Sequence, residues 1–333
     1  VSHSNCSHWK VSGGWMNPVL RMLLRIGRLV ALLAVLPAGE LFLGGASLQG
    51  QEPIRWKFRP GTDYRVSFQQ QTASKTRVGD QVIEVRLQMT MQMDWRVLQV
   101  DTAGRATMDQ SFTRIRIELD NPKVESVVYD SSASEKAAGE AAQMAASLGP
   151  LIGKPFRVVM TNRGVVQKVE LSPQAQVALN RVPEESRLKD VFTTAGLTQT
   201  LQKSHGILPL EAVQPGDQWE VDSMLVTPLG ALKMKTKYQY VANLQRSGIA
   251  VAQLKVHGQL ELVPGEDQDS PPQQLKIKSQ DMSGEVFFDK AQGRLLESKM
   301  TQRLVTESEF RDLLLSSQMT SSLVTTVTVI KKR

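Results

Sequence analysis

Apolar and polar residues alternate most clearly between Val85 and Val97. The odd positions are Val, Leu, Met, Met, Met, Trp and Val, and the even positions are polar or charged. A side-chain period of two places the two sets on opposite faces of a β-strand. The alternation from Val85 to Val97, within the segment 82–97, therefore predicts a strand of roughly 40 Å at about 3.3 Å per residue, and strands of this length favour a curved sheet.

Similar segments recur along the chain, and turn sequences with glycine separate them. Together they predict a mainly β fold: a large curved antiparallel sheet or incomplete barrel built from two duplicated halves, with a few covering helices (α+β). The other predicted strands are 64–75, 113–119, 155–171, 218–227, 232–240, 250–262, 275–289, 293–306 and 319–331.

Two regions predict helices instead. The Ala-rich segment 132–149 contains strong helix formers, with Ser132 or Ser134 as a candidate cap and Gly149-Pro150 as the stop. Residues 173–204 predict two or three short helices within a helical connector, 172–209.

Two phrases of the sequence nearly repeat. "RPGTDYRV" begins at Arg59 and "QPGDQWEV" begins at Gln214. Each predicts a Pro-Gly turn that leads into a strand. Glycine-containing turns follow both phrases in the same order, which predicts two related β repeats at 55–171 and 210–331, with the helix 132–149 inserted in the first.

The N-terminal region is typical of an export signal. Residues 1–15 precede the first methionine and predict an over-extended start; residues 16–46 have a basic segment, a short apolar run and small residues. Cleavage is predicted after Ala46, with Gly50 as the second choice and an uncleaved anchor as the alternative. Cys6 lies in this leader, so the mature chain offers no disulfide or thiolate nucleophile.

The net charge of +7 falls to +4 once residues 1–46 are removed. This small excess does not indicate a nucleic-acid partner. Basic residues on the polar strand faces indicate either an anionic partner or protection of a wide sheet, and the second interpretation is favoured. They are Arg86, Arg96, Arg114, Arg116, Lys233, Lys235, Lys237, Lys276 and Lys278.

Candidate catalytic chemistry is sparse. His205 and His257 have no neighbouring ligands in sequence, so no metal site is predicted. "SRLK" from Ser186 is a chance-level match to a Ser-Lys pattern, Glu184-Glu185 is typical of a solvated helix, and nothing selects Asp94 or Asp109 over other acids. We expect no catalytic residues, no cofactor and no enzyme activity.

The apolar strand faces provide the candidate binding residues. Methionine adapts its shape, so the stripe could line a lipid pocket as well as pack a core. The candidate ligand-lining residues are Met89, Met91, Met93, Trp95, Leu232, Met234, Tyr238 and Tyr240.

Three further stretches resemble an uncharacterised family of exported bacterial proteins, common in planctomycetes and Bacteroidetes. They are "YDS" (129–131), "GKPFRVVMTNRGVVQKVEL" (153–171) and "FFDKAQGRLLESKMTQRL" (287–304). The fold is similar to the LolA-like lipoprotein-carrier half-barrel. This resemblance implies a curved sheet with an apolar cavity, and it implies no catalytic residues.

The sequence thus predicts a non-catalytic protein of the periplasm or cell envelope, or a secreted one. Its partner is a lipid or other apolar ligand, or an envelope protein, in the concave face. Membrane contact is expected only through an uncleaved signal segment. The alternatives are an envelope scaffold without a small ligand, and a hydrolase with dispersed site residues.

Overall fold

The computed structural model describes residues 53–122, 124–183, 192–205, 207–227, 230–263, 276–310 and 313–330. The predicted start 1–15, the signal segment 16–46 and Cys6 lie outside these residues, as do Glu184, Glu185 and Ser186. Of the described part of the chain, no helix is both long enough and apolar enough to cross a membrane.

The first run of strands forms because apolar residues recur at every second position. It extends from the centre of the sheet to one edge, and each strand turns back antiparallel to the strand before it, except that β5 pairs with β3. The strands are β1 (Asp63–Val78), β2 (Gln81–Val100), β3 (Ala106–Asn121), β4 (Val124–Asp130), β5 (Phe156–Met160) and β6 (Val166–Leu171).

The second run begins at the opposite edge and returns to the centre, where its last strand pairs with β1. The resulting antiparallel sheet has twelve strands and stays open, in the order β6-β5-β3-β2-β1-β12-β11-β10-β9-β8-β7, with β4 beside β3. The strands are β7 (Gln218–Thr227), β8 (Gly230–Arg246), β9 (Ile249–Val263), β10 (Lys276–Asp289), β11 (Arg294–Phe310) and β12 (Leu313–Val329).

The predicted mainly β fold is confirmed, with differences in detail. Segment 155–171 forms two strands rather than one, because a turn at 161–164 divides it. Strand β4 was missed because Val127, Val128 and Tyr129 are consecutive and break the alternation.

The Ala-rich segment forms a shorter helix than predicted. Helix α1 (Gly139–Leu148) begins seven residues later than the predicted start, and a single 3-10 turn (Gly149–Leu151) follows it. Ser132 does not cap the helix: its backbone N–H and hydroxyl both donate to Asp130, which forms a turn. The N-cap is Ala138, with no side-chain hydrogen bond.

The connector between the two runs contains two described helices, α2 (Pro173–Leu179) and α3 (Thr194–His205). Ser172 caps α2, since its hydroxyl accepts the backbone N–H of Ala175 at 3.1 Å, and Pro173 occupies the first helical turn as expected. The described helical residues Ala175, Leu179 and Leu197 are buried, so these helices cover part of the apolar face.

A short N-terminal segment, which we call the strap (residues 53–58), shows that the sheet is curved. The ring centroid of Trp56 lies 6.1 Å from that of Trp95 in β2 and 5.8 Å from that of Phe288 in β10. Four strand spacings separate β2 from β10, roughly 19 Å in a flat sheet at ~4.8 Å each. The two rings are at most about 12 Å apart, so the sheet curls around the strap.

Backbone hydrogen bonds anchor the strap to both runs of strands. The N–H of Trp56 donates to the carbonyl of Asn162 in the β5–β6 turn at 2.7 Å, and the N–H of Lys57 donates to Gly293 in the β10–β11 turn at 2.9 Å. The strap therefore joins one turn of each run.

The two repeated phrases have the same local structure. Thr62 N–H donates to Arg59 at 3.2 Å and Asp217 N–H donates to Gln214 at 3.0 Å, which closes a Pro-Gly turn in each case. Gly61 and Gly216 have φ of 77° and 102°, as glycine at this turn position allows.

A β-bulge also follows each phrase at the equivalent place. The β2–β3 register shifts directly after Val97, which pairs with Gly61, and the β8–β9 register shifts directly after Tyr240, which pairs with Gly216. The two phrases thus share a turn and a bulge, and the two predicted repeats stay a prediction.

Candidate ligand-binding face

One face of the sheet, which we call the dry face, carries most of the buried apolar side chains of the strands, and the sheet curls towards it. At the end nearest the strap this face is fully packed. The buried side chains there include Tyr64, Val66, Met93, Trp95, Met108, Val158, Tyr240, Leu254, Val286 and Phe288. We call this region the packed end.

Towards the opposite ends of β1, β2 and β3, the dry face is only half-buried, whereas Leu304 and Met319 at the same level of β11 and β12 are buried. The strand register places the half-buried residues on the same face as the packed end, two or more positions further along each strand. We call this region the open part, and its half-buried apolar residues include Val85, Leu87, Met89, Met91, Ile117, Leu119 and Leu315.

A cluster of uncharged polar side chains lies beside the open part, on the central strands β1 and β12, with Gln70 opposite Met89 and Thr72 opposite Leu87. The amide of Gln70 donates to the hydroxyl oxygens of Thr72 at 3.2 Å and Ser321 at 3.3 Å, and these two oxygens are 2.9 Å apart. All three side chains are buried, with exposures of 2%, 8% and 4%. They occupy dry-face positions, where the alternation predicts apolar residues.

The polar cluster continues into β11. Gln302 is directly opposite Ser321, and Ser298 is directly opposite Thr325. All of these side chains are buried, and the Ser298 hydroxyl has no hydrogen-bond partner among the described residues. We call the six residues Gln70, Thr72, Ser298, Gln302, Ser321 and Thr325 the seam belt, because they line the junction between the two runs of strands.

Methionine side chains lie over glycines beside the seam belt. A Cβ added at Gly258 would overlap the terminal methyl of Met282, and one added at Gly284 would overlap the sulfur of Met300. The glycines of β9 and β10 therefore make room for the thioethers of Met282 in β10 and Met300 in β11. Methionine side chains are flexible, so they form an adaptable apolar layer on this side of the belt.

The structure divides the eight predicted ligand-lining residues between the two regions. Met89 and Met91 are half-buried in the open part, whereas the Leu232 side chain lies outside the described residues. The other five are buried: Met93, Trp95, Met234, Tyr238 and Tyr240. Four of them pack at or near the strap end, and Met234 lies towards the open part.

Sequence reasoning missed the seam belt. The usable signal was in strand 64–75, where Gln70 and Thr72 share the face of Tyr64 and Val66. Ser321 is too distant in sequence for the alternation alone to pair it with Thr72.

Charged residues lie mainly on the other, wet face and pair across strands. Arg65 holds Asp94 at 2.8 and 2.9 Å, and Arg157 holds Asp109 at 3.0 and 3.3 Å, so both candidate acids are in ion pairs. His257 is exposed on the wet face. Within the described ranges, no three His, Cys, Asp or Glu side chains are grouped to hold a metal ion.

The predicted basic face of the first run is largely balanced by acids. Arg86 and Arg96 contact Asp120 and Asp63 at 3.9 and 3.2 Å, and Arg114 and Arg116 both contact Asp130, at 2.6 and 3.6 Å. This pairing accords with a protected sheet surface.

The pKa of one ionisable side chain on each face shows how that face treats charge. The hydrogen bond from Arg114 holds the pKa of Asp130 well below its ordinary value, which keeps this wet-face carboxylate ionised. On the dry face, burial raises the pKa of Tyr238, whose hydroxyl has no partner among the described residues. The dry face thus favours uncharged groups.

A family model described as "Family of unknown function (DUF6263)" matches residues 103–295. None of the curated proteins matches the chain.

Several solved structures show distant likeness. Lipovitellin, in a structure of its lipid–protein interactions, is 12% identical with a TM-score of 0.42; the match covers 83% of this chain but only 26% of the lipovitellin chain. A Bacteroides fragilis protein described as exported, with a YmcC-like fold, is 8% identical with a TM-score of 0.25, and 80% of this chain and 97% of that chain are covered.

An outer-membrane channel from Pseudomonas putida is 8% identical with a TM-score of 0.20, and the match covers 87% of this chain and 100% of that chain. Similarities at these identities and TM-scores do not indicate a function for this chain.

Proposed function

The chain belongs to DUF6263, a family of unknown function, and we propose that it is an exported, non-catalytic protein of the cell envelope that binds an apolar, lipid-like ligand. The ligand lies on the open part of the concave dry face. Export rests on the tripartite signal pattern of residues 16–46.

One observation carries the binding proposal: the same apolar face is packed at one end and half-exposed at the other. Contiguous apolar surface that a protein leaves partly open marks an interaction site more often than chance does. Met89 and Met91 give this surface a deformable lining, which suits flexible acyl chains. Curvature places the surface inside the sheet, where a ligand is shielded from water.

Native mass spectrometry with lipid extraction tests the proposal on the mature chain, purified from its exported form. We expect a co-purifying apolar molecule at about one per chain. A clean apo mass that added lipid extract leaves unchanged would reject ligand binding and favour a scaffold.

A charge in the open part provides the matched comparison. Met89→Asp places a carboxylate on the dry face, where desolvation disfavours it. Gln71→Asp adds the same charge to the exposed wet face of the neighbouring strand, between the uncharged Gln88 and Ser322. We expect Met89→Asp to lose the ligand and Gln71→Asp to retain it, with unfolding midpoints recorded for both.

A further inference from the structure

We propose that the seam belt binds an uncharged hydrogen-bond acceptor of the ligand, an ester or similar carbonyl, while the apolar residues beside it hold the hydrocarbon chain. The inference deepens the proposed function and rests on it. It names the chemical class of the ligand: a neutral acyl ester rather than a hydrocarbon or an ionised fatty acid.

The dry-face side chains that flank the belt are uncharged. The dry-face residues that the register places beside it on β2 and β10 are Leu87, Met89, Met91, Met282, Gly284 and Val286. None of them is ionisable. A carboxylate or ammonium group buried there would have no opposite charge, which makes its transfer from water very unfavourable. The group that the belt accepts is therefore neutral.

The hydrogen bonds within the belt leave one hydroxyl proton unused. Three hydrogen bonds join Gln70, Thr72 and Ser321, and only one of them uses a hydroxyl proton, since the amide of Gln70 donates the other two. Two hydroxyls carry two protons. One O–H is therefore left over by this network, and it can donate to an acceptor on the ligand.

Ser298, which lies opposite Val286 at the edge of the packed end, is a further buried hydroxyl of the belt. It is 2% exposed, and its hydroxyl oxygen has no partner among the described residues. A buried hydroxyl without a hydrogen bond costs free energy, so a ligand acceptor that reached Ser298 would be stabilised by it. A carbonyl oxygen has two lone pairs and satisfies such donors directly.

The belt lies between apolar side chains of the neighbouring strands. It crosses the three central strands, with Leu87 and Met89 of β2 on one side and Met282 of β10 on the other, while Met300 and Leu323 lie among its members. Valine or leucine at these positions would pack the strands without any unsatisfied hydroxyl. A polar strip between two apolar surfaces instead matches a molecule with a polar linkage between hydrocarbon parts.

Competitive native mass spectrometry with methyl laurate and pentadecane tests the inference, because the two probes have similar size and differ in the ester. Both are presented at equal concentration in the same detergent micelles. We expect the mature chain to prefer methyl laurate by roughly 2- to 10-fold per hydrogen bond.

The double variant Thr72→Val, Ser321→Ala removes both hydroxyls with little change of shape. We expect its ester preference to fall towards one while pentadecane binding is retained. The control, Thr320→Val with Ser322→Ala, changes the adjacent outward-facing residues of β12 and should keep the preference. Unfolding midpoints confirm that both variants are folded.

The outcomes separate the inference from the proposed function. If the unaltered chain binds pentadecane and methyl laurate equally, or if the belt variant keeps the preference, the belt does not recognise an ester and the inference is wrong. If the unaltered chain binds neither probe, the proposed apolar-ligand function fails, and the inference fails with it.

Discussion

The packed end and the open part of the dry face are built from the same strands and nearly the same residue types, yet only one of them is closed. Met93 is 2% exposed, whereas Met91, two positions along β2, is half-buried. The strap makes the difference, because Trp56 stacks on Phe58 at 5.3 Å and packs 6.1 Å from Trp95, two positions beyond Met93 in β2.

Alternation of apolar and polar residues alone therefore does not define a buried core. The period of two fixes which face a side chain is on, but a second layer of structure decides whether that face is dry. Here the strap covers one end, whereas the described helices pack against the strands β4 and β6 at one side of the sheet. Stability and binding should therefore be separable along a single strand.

Removal of the strap's central ring should have the largest effect. Trp56→Ala leaves a large cavity between β2 and β10, and a buried aromatic truncated to alanine typically costs about 3–5 kcal/mol. We expect a loss of this size in the free energy of unfolding, measured with chemical denaturant.

Leu314→Ala is the control for that experiment. Leu314 is the most exposed of the large apolar side chains described, at 62%, so its truncation should change stability by about 0.5 kcal/mol or less. Similar losses for both variants would show that the strap end is not the stabilising core.

The alternation predicted most of the sheet because the pattern is local. Segment 218–227 coincides with β7, and segment 82–97 lies within the longer β2. The register between β1 and β12 was not predictable in this way, since it joins residues about 250 positions apart. The seam belt depends on that pairing, which explains why its members had been assigned only to separate strands.

The start of the Ala-rich helix shows a different limit. Composition predicted a helix from residue 132, but Asp130 captures Ser132 in a turn, and Gly139 has a φ of 55°. Helix propensity cannot foresee such competition, because a few local hydrogen bonds and one left-handed glycine outweigh the small preferences of several alanines.

A pair of methionine truncations should locate the boundary between the two regions. Met93→Ala removes a fully buried side chain and should cost about 2–5 kcal/mol. Met91→Ala removes a half-buried one and should cost only about 1 kcal/mol, although it should weaken ligand binding more. Equilibrium unfolding measures the first effect and native mass spectrometry the second.

Equal destabilisation by the two substitutions would contradict this boundary. It would mean that Met91 packs as fully as Met93 and that the open part starts further along β2. The comparison is well matched because both residues face the same side of one strand and have the same volume.

The two glycines beneath the methionines should differ from each other, and Gly258 should show the smaller effect. A methyl group at Gly284 would overlap the carbonyl oxygen of Lys299, a backbone atom in β11, as well as the sulfur of Met300. The paired strands would have to separate, so Gly284→Ala should cost about 1–3 kcal/mol. At Gly258 the nearest overlap is only with the terminal methyl of Met282, which can rotate away.

We therefore expect Gly258→Ala to lose less than about 1 kcal/mol, since the change stays within a flexible side chain. The displaced Met282 methyl must then move over the dry face beside Gln302, so this variant should alter ligand affinity more than stability. Unfolding midpoints and ligand occupancy, measured together, check both statements. A Gly258→Ala loss as large as that of Gly284→Ala would show that the methionines beside the seam belt are rigidly packed, and that they form core rather than an adaptable binding surface.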